Sequence, residues 1–177
     1  RAPLLYALGF VNMKLLRTLA LIGCLGASSS GWTQAEDWPN WRGPRGDGTS
    51  VETNLPTRWT ETENVAWKVP IPGIGHSSPI VHGERIFVTT CLVDQGSGTA
   101  PTDRQLLSLN RADGKVVWTR TVSRSPLEKK HTLNSFASGT PATDGATVFV
   151  TFLENDSPDE KKNHGQMVVR SEEHTSE

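Results

Sequence analysis

Leu107-Ser108-Leu109-Asn110-Arg111-Ala112-Asp113-Gly114-Lys115-Val116-Val117-Trp118 reads as a strand, a tight turn and a second strand. Leu107 and Leu109 alternate with Ser108 and Asn110, the period of a half-buried strand. Asn110 to Gly114 is turn chemistry, and Asp-Gly is a strong hairpin signal. Val116, Val117 and Trp118 are β-branched or aromatic and suit the returning strand.

Outward from this hairpin the chain repeats itself. Pro79 and Pro141, Gly83 and Gly145, and Phe87 and Phe149 are each 62 residues apart. A fixed offset over three landmarks marks an internal repeat. Trp67 and Trp118 are 51 apart, so an 11-residue insertion lies between Trp118 and Pro141. Each unit predicts four short antiparallel strands, A to D. The A strands contain Ser78-Pro79 and Thr140-Pro141, and the B strands span about 85–91 and 147–153. The first C and D strands flank Gly114, and the second C strand starts near Met167.

The run Leu107, Leu109, Asn110, Gly114, Lys115 and Trp118 resembles the repeat of the PQQ-like β-propellers, with Asn110 for the usual Asp and Ser108 for the usual Ala. The resemblance implies an all-β fold, an incomplete propeller of four-stranded blades with under two blades present. Blades bury their faces only against neighbouring blades. Residues 65–69 are then a strand that closes the ring, 76–121 are blade one, and blade two begins at 137. These residues expressed alone are expected to aggregate or to behave as a molten chain, and a sharp cooperative melt of a soluble monomer would contradict that.

Residues 36–64 are irregular and rich in Trp, Pro and Gly. Their tryptophans argue against a disordered linker, so Trp38 and Trp41 are expected to anchor the segment. The Trp38-Pro39-Asn40-Trp41-Arg42-Gly43-Pro44 run resembles the opening of secreted planctomycete-type proteins with PQQ-like repeats.

Residues 13–35 have a basic start, a short apolar stretch and a small polar end, the pattern of a signal-peptide helix. Leu21-Ile22-Gly23-Cys24 resembles a lipobox, which would make Cys24 a lipid anchor; a chance cysteine reads equally well. Residues 1–12 precede the expected start at Met13. Residues 170–177 resemble a translated sequencing adaptor, so the native sequence is expected to run to Val169. The chain is thus expected to be exported, to the periplasm, the cell envelope or the medium, with no membrane span once the leader is removed.

A net charge of -1 over 177 residues gives no electrostatic case for nucleic acid. Cys91 reads as a small buried apolar residue. No zinc spacing, Walker-type loop or Gly-x-Ser-x-Gly is present, and Asp113 and Asp144 read as turn residues.

Strand order places the tight A–B and C–D turns on one rim and the long connections, 70–75, 92–103, 123–137 and 154–165, on the other. On that long-loop rim His76, Ser77 and Ser78 enter the first inner strand, and His131, Asn134 and Ser135 the second. They are candidates for a polar ligand or an unknown protein partner; the plainer reading is that they satisfy backbone groups. Glu128-Lys129-Lys130 reads as a solvated loop face, and His82 as a turn residue with no partner.

Two functions stand side by side. One is a non-catalytic binding or assembly scaffold, similar in fold to the BamB-type lipoprotein of outer-membrane assembly, with no cofactor or metal. The other is a quinoprotein dehydrogenase, for which the resemblance implies PQQ and Ca2+. That family's vicinal cysteine pair is missing, and its cofactor-binding residues match none here.

Overall fold

The computed structural model describes residues 35–93, 100–157, 159, 161–162 and 164–173. Of the expected leader only Ala35 is described, so the signal-peptide helix, Cys24 and residues 1–12 lie outside the described residues, as do residues 174–177. Among the described residues seven strands follow one another: β1 (Ile80–His82), β2 (Arg85–Cys91), β3 (Thr102–Asn110), β4 (Val116–Ser125), β5 (Ala142–Thr143), β6 (Thr147–Glu154) and β7 (Gln166–Glu173). They form two antiparallel sheets, ordered β1-β2-β3-β4 and β5-β6-β7. Neither sheet closes on itself and no helix occurs among the described residues, so the architecture is that of an incomplete propeller.

The deciding hairpin forms as its sequence requires. Gly114 sits at φ 72°, in the left-handed region that glycine tolerates. Its N–H donates to the Asn110 carbonyl at 2.8 Å, and the Asn110 side chain accepts from the Ala112 N–H at 2.8 Å. Asp113 and Asp144 accept from turn amides, Lys115 N–H at 3.0 Å and Thr147 N–H at 2.8 Å, as expected of turn residues.

One expectation is corrected here: β3 is buried on both faces. Phe87, Thr89, Cys91, Leu106, Ser108 and Trp118 share the face that meets the second sheet through Val148, Val150 and Phe152. Leu107 and Leu109 point the other way, with Ile86, Val88 and Thr90. Residues 67–74 cross that second face. The Trp67 Nε1–H donates to the Arg111 carbonyl at 2.9 Å, and the Thr90 hydroxyl donates to the Pro72 carbonyl at 2.6 Å. Residues 65–69, expected as a strand, have no sheet partner among the described residues. Trp67 serves instead as a wedge against the Gly114 turn.

The repeat explains which faces are covered. Phe87 and Thr89 are buried against the second sheet, whereas their counterparts 62 residues on, Phe149 and Thr151, are exposed on the outer face of β6. Met167 and Val169 of β7 share that outer face. Strand β7 stays in register with β6 from Gln166 to Glu173, through residues 170–173. The A strands begin one residue after their prolines, at Ile80 and Ala142, because proline has no N–H for the ladder.

The irregular segment is docked by Trp38 and not by Trp41. Trp38 bridges Val81 with two backbone bonds of 2.8 and 3.0 Å, and the Pro39 carbonyl accepts from Thr143 N–H at 2.9 Å. The segment thereby joins the inner edges of both sheets. Trp41 is 66% exposed and lies under the Arg42 guanidinium. His82, expected to lack a partner, pairs with Asp37 at 2.7 Å, and the other Asp37 oxygen accepts from Gly83 N–H at 2.9 Å. Asp37→Ala should therefore speed amide exchange at Val81 and Gly83 about tenfold while Phe87 and Leu107 stay protected. Unchanged exchange at Val81 would mean that Asp37 does not hold the segment down.

Glu36 sits in a second clasp, accepting from Arg45, from Ser50 Oγ at 3.1 Å and from Val51 N–H at 3.4 Å. The Arg45 guanidinium above all holds its carboxyl at about 2, below the ordinary 4.5. A depressed carboxyl pKa stabilises the clasp above pH 4.5, and the contribution fades as pH falls through about 2. An NMR titration of the Glu36 carboxyl should give that low midpoint; one near 4.5 would show the clasp open.

Candidate functional site

Irregular pairing at the inner edge of β2 opens a cleft. Ile74 pairs with Cys91, and the ladder resumes only at Ile80 with Phe87. Between them the chain bulges away, and Ser77 replaces the lost backbone rungs. Its Oγ accepts from Thr89 N–H at 3.2 Å and donates to the Thr89 carbonyl at 3.3 Å. The amides of His76 and Ser77 donate instead to the Ala137 carbonyl, at 2.9 and 3.1 Å, and Ser78 N–H to Thr140 Oγ1 at 3.2 Å.

The space left by the bulge is a cleft of about 580 Å³. One wall is Gly73 to Ser77 with Val88 to Thr90, and the other is Lys130, Thr132, Asn134 and Ser135. It lies on the long-loop rim. Of the six candidate residues the structure brings four to this cleft: His76, Ser77, Asn134 and Ser135. Ser78 is turned into the contact with Thr140. His131 is exposed outside the lining and its Nδ1 accepts from Leu133 N–H at 3.2 Å.

Ser77 and Ser135 follow the plainer reading, since each satisfies backbone: Ser135 Oγ accepts from Ala137 N–H at 3.3 Å. The imidazole of His76 and the amide of Asn134 are exposed to solvent in the cleft mouth.

The far wall belongs to the 11-residue insertion, and its anchor was not legible beforehand. Arg104 is fully buried on the core face of β3. It donates to Ser125 Oγ at 2.8 Å and forms an ion pair with Glu128 at 2.6 Å. Glu128 is therefore no solvated loop residue: it holds a buried charge, because a guanidinium removed from water needs a carboxylate. Arginine in an alternating strand reads as solvent-facing, and only the fold shows that its face is the core.

Among the described residues no three His, Cys, Asp or Glu side chains gather as a metal would require. The cleft has no described carboxylate in its lining, whereas Ca2+ takes six to eight oxygen ligands, carboxylates prominent among them. The described residues thus do not fit a quinone–calcium pair at this cleft. Cys91 is a free, buried thiol whose pKa burial pushes up, consistent with an inert core residue. No helix among the described residues is long and apolar enough to cross a membrane.

No curated protein and no solved structure matches the chain. Residues 49–159, more than half of the chain, match the family described as outer membrane protein assembly factor BamB. With its two repeated antiparallel sheets and its Gly114 hairpin, the chain belongs to that family of PQQ-like repeat proteins.

Proposed function

We propose that this chain is part of an exported, non-catalytic scaffold of the cell envelope that binds a polar ligand or a protein partner at its long-loop rim. The observation that carries the reading is the cleft between the Ser77 bulge and the insertion loop, where His76 and Asn134 face solvent on a framework whose Ser77, Thr89, Thr90 and Ser135 hydroxyls are spent on backbone. Long loops on a rigid sheet are where binding usually resides. The family's description as an outer-membrane assembly factor supports both the export and the scaffold role.

The test adds PQQ and Ca2+ to the full-length protein. The scaffold reading expects no stoichiometric complex and no dye reduction with alcohols or sugars. A tight one-to-one complex that oxidises alcohol would overturn it in favour of a quinoprotein dehydrogenase.

A further inference from the structure

Within the cleft the polar groups divide into those already committed and those left over. Ser77 bonds both backbone groups of Thr89, Thr89 Oγ1 donates to the Gly139 carbonyl at 3.1 Å, and Thr90 Oγ1 donates to the Pro72 carbonyl. Ser135 is spent on Ala137. Left over are the imidazole of His76, the hydroxyl of Thr132, the amide of Asn134 and the ammonium of Lys130.

Lys130 is the informative one. It is half-buried, its Nζ lies 4.9 Å from the centre of the Phe136 ring, and no described carboxylate pairs with it. The acid two residues before it, Glu128, is turned inward to Arg104. A cation partly withdrawn from water, held over an aromatic face and given no counter-ion, is an incomplete arrangement. Each of the four uncommitted polar side chains can donate a hydrogen bond, and no described acid in the lining opposes them.

We propose that the cleft takes a small organic anion, its carboxylate or phosphate lying against Lys130, His76 and Asn134. This rests on the ligand-binding reading above and names its chemistry. The volume of about 580 Å³ suits a ligand of one or two sugar rings' size and not a folded partner.

Titrating the full-length protein with glucuronate, glucose 6-phosphate and glucose, followed by calorimetry and by amide NMR shifts, tests it. At least one anion should bind about tenfold more tightly than glucose, the gain expected of a charge-assisted contact. The anion that does so tells carboxylate from phosphate recognition. Lys130→Gln should abolish the preference and Lys130→Arg should keep it; the position is at the surface of a loop, so both variants should melt as the parent does. Glucose binding as well as the anions would overturn the proposal while leaving a ligand-binding cleft intact. An anion preference unchanged in Lys130→Gln, or no binding of either anion at millimolar concentration, would also overturn it.

Discussion

Gly114→Ala should destabilise the protein by about 3 kcal/mol, from two separable causes. An alanine at φ 72° costs about 1 kcal/mol in backbone strain. The added Cβ would also stand 2.5 Å from the Trp67 ring, so the indole must leave the turn and give up its bond to the Arg111 carbonyl. Gly83→Ala is the control. Gly83 also has positive φ, 53°, but a Cβ there meets nothing within 4 Å, so only the ~1 kcal/mol backbone part is expected. Denaturant unfolding of the full-length protein measures both. In a Trp67→Ala background, Gly114→Ala should fall back to about 1 kcal/mol, because neighbours that share one contact are not additive. Equal effects of the two glycine variants would refute the wedge.

Removing the Glu128 carboxylate should be costlier still. Glu128→Ala leaves the Arg104 guanidinium fully buried with only Ser125 as partner, and breaking a buried pair from one side costs about 3–5 kcal/mol. The double variant Arg104→Met, Glu128→Leu should recover most of that loss, since an apolar pair needs no desolvation offset. Equilibrium unfolding of the single and double variants completes the cycle. A double variant no more stable than Glu128→Ala would mean that the pair does not act as a unit. The insertion loop that forms the far wall of the cleft hangs on this pair and on Ser125, whose Oγ also accepts from Asn155 N–H at 3.4 Å in the second repeat. Loop order and stability should therefore fall together.

These two sites show where sequence reading stops. The turn at Gly114, the paired landmarks 62 residues apart and the split between a trimmed and an elaborated rim follow from local chemistry: turn residues, two-residue alternation and strand polarity. Four of the six residues named on the long-loop rim line one cleft, because strand polarity already groups their loops at one end of the sheets. Lys130 was not among them, because Glu128-Lys129-Lys130 reads as a solvated loop face until a cavity is seen beside it. Arg104 and Glu128 are 24 residues apart, Trp67 and Arg111 44, and Asp37 and Gly83 46. No periodicity relates such pairs.

By itself, then, the sequence determined that this protein is built of repeated antiparallel β units, and which ends of those units carry short turns and long loops. The tertiary structure alone decided that β3 is buried on both faces, that Trp67 wedges against Gly114, and that Ser77 stands in for missing backbone rungs beside the cleft. The physical reason is one of range. Strand and turn propensities act over a few neighbouring residues, whereas burial and charge pairing depend on which distant segment folds over a face.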